Sequence, residues 1–97
     1  MQLLSSKMTE KIIVYTKDYC PYCTRAKALL TAKNLKFSEI DITNDQNLQN
    51  ECFSKSNGQK TVPQIFIGST HVGGFDALSG ASSSGKLDEI LAKEGVI

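Results

Sequence analysis

The chain has 97 residues, with 11 basic and 10 acidic side chains and a formal net charge of +1, so it can bury one modest core and not a second module. No run of five like charges occurs, which argues against a nucleic-acid partner; 40% hydrophobic and 22% charged residues is globular rather than disordered usage. The three cysteines are an odd count, ill suited to a stapled secreted scaffold and better suited to a reducing compartment with one working pair.

Residues 1–8 read as a disordered extension, with Met8 as an alternative start, and residues 9–97 as one folded domain. Leu3 and Leu4 are the only adjacent apolar pair in MQLLSSKMTE, short of the ~7–15-residue core of a signal peptide. Nothing later reaches the ~18 apolar residues of a membrane span. A cytoplasmic protein with no membrane contact is expected. Lys11 to Thr16 (KIIVYT) is a continuous β-branched and aromatic run, as in a central strand covered on both faces. From Pro21 to about Lys33, Cys23, Ala26, Leu29 and Leu30 recur at helical spacing, with Pro21 in the first turn and Asn34 at the end.

Phe37 to Ile42 predicts a second strand, and strand, helix, strand over about thirty residues is a parallel crossover. Thr43 or Asn44 is expected to cap a helix through about Ser56, with Leu48, Cys52 and Phe53 inward and Asn57-Gly58 as its stop. Gln64 to Ile67 and Thr70 to Gly73 are strands joined by a type II′ turn at Gly68-Ser69. Phe75 to Leu78 reads as a short helical turn. One of Ser82 to Ser84 is expected to cap a last helix, with Leu87, Ile90 and Leu91 buried and Gly95 as its end. The layout, βαβ then αββα, predicts an α/β thioredoxin-like fold: a four-stranded mixed sheet with helices on both faces.

The chemistry concentrates at Cys20-Pro21-Tyr22-Cys23. A dithiol needs one sulfur that is ionised and accessible and a second close enough to displace it. Cys20 sits at the mouth of a helix, where unpaired N–H groups and the positive end of the dipole favour a thiolate, and Lys17 adds positive charge nearby. Cys23 shares a face with Ala26 and Leu30, so it is expected to be buried and to resolve mixed disulfides formed on Cys20. A zinc site would need two more ligands, for which only Cys52 and His71 are on offer, and no metal is expected. Cys52 reads as a small core hydrophobe and His71 as a solvated strand residue.

Four motifs in order resemble a glutaredoxin of the bacterial dithiol type: Tyr15-Thr16-Lys17 leading into Cys20-Pro21-Tyr22-Cys23; the helix Arg25-Ala26-Lys27-Ala28-Leu29-Leu30; Thr61-Val62-Pro63-Gln64-Ile65-Phe66-Ile67; and Gly73-Gly74-Phe75-Asp76. The resemblance implies a glutathione-dependent thiol–disulfide oxidoreductase with Cys20 and Cys23 catalytic. It also implies a cis peptide before Pro63 and a Val62 backbone free to pair with an extended peptide. Glutathione, as co-substrate and not a resident cofactor, is then expected to meet Lys17, Tyr22, Thr61, Val62, Pro63, Gly74, Phe75 and Asp76. Its glycyl carboxylate would lie near Lys17 and its γ-glutamyl end near Gly74 to Asp76. Partners are glutathione and glutathionylated or disulfide-containing proteins, with the enzyme a monomer.

Two departures from the family pattern stand out. Ala77 occupies a position where many relatives carry an acidic or hydroxyl residue, and Phe75 one where a cysteine is frequent. Two other functions fit a Cys-X-X-Cys chain: a thioredoxin-type reductase served by a flavoprotein, disfavoured by the absence of tryptophan, and an iron–sulfur binding module, disfavoured by Pro21 and the second cysteine.

Overall fold

The computed structural model describes residues 11–96; the extension read at residues 1–8 lies outside them. Eight elements follow in chain order: β1 (Ile12–Thr16), α1 (Pro21–Ala32), β2 (Ser38–Asp41), α2 (Gln46–Lys55), β3 (Gln64–Ile67), β4 (Thr70–Gly73), α3 (Phe75–Ser84) and α4 (Lys86–Lys93). The four strands form one sheet in the order β2-β1-β3-β4. β1 pairs parallel with β2, while β3 runs antiparallel to both β1 and β4.

β1 alternates between two cores, which is why its sequence shows no polar face. Ile12 and Val14, with Ile65 and Ile67 of β3, pack on Ala26 and Leu30 of α1, Leu78 of α3 and Leu87 and Leu91 of α4. Tyr15 points the other way, into a smaller cluster with Ile42 and Cys52 that α2 covers. The helices therefore flank the sheet on both faces.

Local chemistry sets the helix ends. In α1, Asn34 takes a left-handed φ of 60° while the Asn34 and Leu35 N–H groups donate back to Thr31 and Leu30 carbonyls, closing the last turn as a Schellman motif. Asn57-Gly58 ends α2 in the same way, with Asn57 in the left-handed position, and Gly95-Val96 ends α4. Gly68 turns the β3–β4 hairpin at φ 58°.

Three local expectations are corrected. Asp45, not Thr43 or Asn44, caps α2, its carboxylate accepting the Leu48 N–H at 3.0 Å. The Thr43 hydroxyl is already committed, donating to Asp41 and accepting the Asp18 N–H. Phe75 begins a ten-residue helix, not a short turn, and Ser82 to Ser84 lie within it. Leu78, buried against the sheet with Phe75 and Ala81 beside it, supplies the apolar contact that overrides the weak helix propensity of Gly80 and the serines. α4 consequently follows Gly85, at φ 86°, without a side-chain cap.

Candidate active site

β1, paired on both sides within the sheet, ends at Thr16, and the turn from Lys17 to Tyr19 delivers Cys20 to the start of α1. Cys20 is the N-cap: its backbone is extended, Pro21 fills the first helical position, and its Sγ accepts the Cys23 N–H at 3.1 Å. A helix N-terminus needs an acceptor there, and here the acceptor is the Cys20 sulfur. Cys20 and Cys23 are joined as a disulfide with Cα atoms 5.2 Å apart. Cys20 is half-buried, whereas Cys23 is 2% exposed and lies in the buried stripe of α1 with Ala26 and Leu30.

On one side of the disulfide a groove of about 490 Å³ gathers Tyr22, Thr61, Val62, Pro63, Gly74, Phe75 and Asp76, together with Gln59 and Ala77. The Val62–Pro63 peptide is cis, and the Val62 carbonyl oxygen lies 3.8 Å from Cys20 Sγ. The Tyr22 and Phe75 rings stand 6.1 Å apart, and the Arg25 guanidinium lies 5.3 Å from the Tyr22 ring centre. Gly74 is the N-cap of α3 and donates no side chain to the cap, so the first turn of that helix, with Asp76 in it, faces the groove with unpaired main-chain donors.

Lys17 is placed elsewhere. It lines a second groove of about 520 Å³ on the far side of the pair, which also touches Cys20 and Cys23, and its Nζ lies 5.9 Å from the Phe53 ring centre. Lys27 and Glu39 form an ion pair of 3.0 Å in that groove. Burial pushes the Glu39 carboxyl up, but hydrogen bonds from Lys27 and the Thr16 hydroxyl outweigh it and the net shift is downward. Asp41 is also held below the ordinary range, chiefly by hydrogen bonds from the Thr43 hydroxyl and N–H.

Sequence reasoning assigned two residues of the site no role, although Gln64 stands in the Thr61 to Ile67 motif. Gln59 lines the first groove from a loop without a motif. Gln64, fully buried, donates through Nε2 to the Thr61 carbonyl at 3.0 Å and to Gln59 Oε1 at 3.2 Å, while its Oε1 bonds His71 Nε2 at 2.7 Å. One buried amide thus ties the loop before Val62 to β4. His71 is accordingly half-buried and stacked on Phe66 with ring centres 4.7 Å apart, not solvated. Cys52 is fully buried, and burial pushes its thiol up. Among the described residues no three His, Cys, Asp or Glu side chains form a metal-ligand group, and no helix is long and apolar enough to cross a membrane.

Residues 12–72 match the family model described as Glutaredoxin. The chain belongs to the glutaredoxin family. It is 47% identical over 92 residues to Glutaredoxin 1 of Rickettsia conorii, covering 94% of this chain and 90% of that one. The solution structure of glutaredoxin from Brucella melitensis superposes with a TM-score of 0.75 at 49% identity, covering 89% of this chain and 91% of that one. A buckwheat glutaredoxin–glutathione complex superposes at 0.78 with 32% identity, covering 90% and 81%. The chain is therefore a glutaredoxin-type thiol–disulfide oxidoreductase, with Cys20 and Cys23 as its redox-active disulfide on a thioredoxin-like fold.

Proposed function

We propose that glutathione occupies the groove beside Tyr22 and that the protein reduces glutathione mixed disulfides through Cys20 alone and protein disulfides through Cys20 and Cys23. In the first route the Cys20 thiolate attacks the glutathionyl sulfur, the substrate thiolate leaves and takes a proton, and glutathione stays on Cys20. A second glutathione thiolate attacks that sulfur, releasing glutathione disulfide and the Cys20 thiolate. In the second route Cys20 attacks a protein disulfide and one protein thiolate leaves and takes a proton; Cys23 then loses its proton and attacks the Cys20 sulfur, displacing the second protein thiolate. The resulting Cys20–Cys23 disulfide is reduced by two glutathiones.

The observation that carries this reading is the juxtaposition of the Cys20 sulfur with the Val62 main chain, 3.8 Å apart at the end of a groove that continues to Asp76. The Val62 N–H makes no main-chain hydrogen bond among the described residues, so an extended peptide has a donor and an acceptor to pair with. In this pose the γ-glutamyl end meets Gly74 to Asp76, Thr61 and Pro63 wall the cysteinyl segment, Tyr22 and Phe75 flank it, and the glycyl carboxylate reaches across Cys20 toward Lys17. The buckwheat relative, solved with glutathione, supports that occupant. A reducing, cytoplasmic compartment supplies the glutathione, and a single copy of the chain suffices.

The test is reduction of the oxidised protein by glutathione alone, followed by thiol counting. Complete reduction at millimolar glutathione without a flavoprotein is expected. A disulfide that only a flavoprotein reductase opens would favour the thioredoxin-type function, and a coloured protein on anaerobic purification would favour the iron–sulfur module.

A further inference from the structure

We propose that the second groove, on the Tyr19 side of the disulfide, is the docking site for the polypeptide flanking the reactive cysteine of protein substrates, with Tyr19 as its aromatic anchor. The inference rests on the disulfide chemistry proposed above and adds what selects the protein part of the substrate.

Tyr19 and Tyr22 are the exposed large hydrophobic side chains among the described residues, and they stand on opposite sides of Cys20. Tyr22 faces the groove that leads to Asp76. Tyr19 is 102% exposed and has a left-handed φ of 55°, a conformation that bulky residues seldom adopt. The turn that holds it is pinned, because the Asp18 N–H donates to the Thr43 hydroxyl at 2.8 Å and that hydroxyl donates to Asp41. The Tyr19 ring, held in water beside Cys20, buries nothing of this chain, and aromatic side chains are enriched where proteins meet partners.

The groove under Tyr19 is about 520 Å³, and both cysteines of the pair line it. Cys20 lines this groove, and its Sγ lies 3.8 Å from the carbonyl oxygen of Val62, which lines the other, so a chain extended through its own cysteine can send one arm past Val62 and the other past Tyr19. Charge separates the two occupants. Lys27 is neutralised by Glu39 at 3.0 Å, which leaves the Asp18 and Asp41 carboxylates against Lys17 on this side. Glutathione carries two carboxylates and one ammonium, so the acidic rim repels its bulk and confines contact to the Lys17 edge. A polypeptide arm with arginine or lysine beside its cysteine is drawn in instead.

The test uses three substrates: the mixed disulfide of glutathione with 2-mercaptoethanol, and two glutathionylated peptides whose cysteine is flanked by arginine or by glutamate. Tyr19→Asn removes the ring while keeping a residue that tolerates the left-handed conformation. Asp41→Asn removes the charge but keeps an oxygen for Thr43. Tyr19→Asn should raise KM for the arginine peptide about fivefold or more, Tyr19→Phe should restore it, and Asp41→Asn should erase the preference for arginine over glutamate. Turnover of the small mixed disulfide should not change in any of the three. Unchanged peptide KM values in Tyr19→Asn would overturn the proposal, as would an equal loss on small and peptide substrates. Wild-type protein inactive on all three would overturn the underlying reaction, and the docking site with it.

Discussion

The Cys23 N–H donates to Cys20 Sγ at 3.1 Å, so in the proposed reaction the residue that resolves the disulfide also presents, through its main chain, a hydrogen bond to the attacking sulfur. The same bond serves as the cap of α1. In that reaction catalysis and helix initiation share one atom, which suits a thiolate because a full negative charge is the best acceptor for a helix N-terminus.

That sharing predicts a stability difference between two inactive variants. Cys20→Ser keeps an N-cap acceptor, whereas Cys20→Ala leaves the Cys23 N–H unpaired. Under reducing conditions urea denaturation should show Cys20→Ala less stable than Cys20→Ser by about 1 kcal/mol. Equal midpoints would mean that the sulfur does not hold the helix.

The glycine pair before α3 divides into a backbone role and a groove role. Gly73 is buried at φ 117°, and a Cβ there would lie 3.1 Å from the Ala77 Cβ. Gly73→Ala should therefore lose about 1–3 kcal/mol of stability. Gly74 is extended, its Cβ would meet only the Pro63 carbonyl at an ordinary 3.5 Å, and serine is a good N-cap. Gly74→Ser should fold as stably as wild type and raise KM for glutathione severalfold by narrowing the groove. Thermal denaturation alongside glutathione kinetics separates the two.

Ala77 lines the groove beside Asp76, on the exposed first turn of α3. In the proposed pose a carboxylate there faces the γ-glutamyl ammonium, and it sits at the favourable end of the helix dipole. One charge-assisted hydrogen bond contributes about 1.5–3 kcal/mol, so Ala77→Asp should lower KM for glutathione about tenfold with kcat little changed. An unchanged KM would place the ammonium elsewhere.

Most of this architecture was legible because the signals were local. β1 announced itself by an uninterrupted apolar run, α1 by spacing and by Pro21 and Asn34, and the β3–β4 hairpin by Gly68. The cysteine pair and the Thr61 to Pro63 and Gly74 to Asp76 segments named most of the groove. What escaped was decided at long range. α3 hides in a Gly-Ser composition that only the burial of Leu78 makes helical. His71 has no acid or base beside it in sequence, yet Gln64 seven residues earlier and the Phe66 ring hold it in place. Gln59 is one unremarkable loop residue whose position depends on the buried Gln64 amide. Lys17 is three residues before Cys20 in sequence, yet its Nζ lies 5.9 Å from the Phe53 ring centre, a packing choice no local pattern encodes.

Tyr15 gives a pH dependence. Its phenol is buried, donates to Glu51 at 2.7 Å and accepts from Lys55 at 3.3 Å; burial first, then Glu51, pushes it well above the ordinary tyrosine value. The unfolded chain releases that proton at ~10 while the folded one keeps it. This contribution to stability is therefore complete below pH ~10 and declines as pH rises further. Urea midpoints at pH 8 and 10.5 should fall more steeply for wild type than for Tyr15→Phe. Tyr15→Phe should also lose about 1 kcal/mol at neutral pH with its hydrogen bond to Glu51. Parallel pH dependences would show that Tyr15 ionises as readily folded as unfolded.

The half-buried Cys20 sulfur and the buried Cys23 sulfur are expected to divide attack and resolution between them. Cys20→Ser and Cys23→Ser are each assayed, with glutathione as reductant, on a small glutathione mixed disulfide and on a protein disulfide. Cys20→Ser should abolish both activities, and Cys23→Ser should keep the first while losing most of the second. Equal losses on both substrates in Cys23→Ser, or residual turnover in Cys20→Ser, would contradict the account.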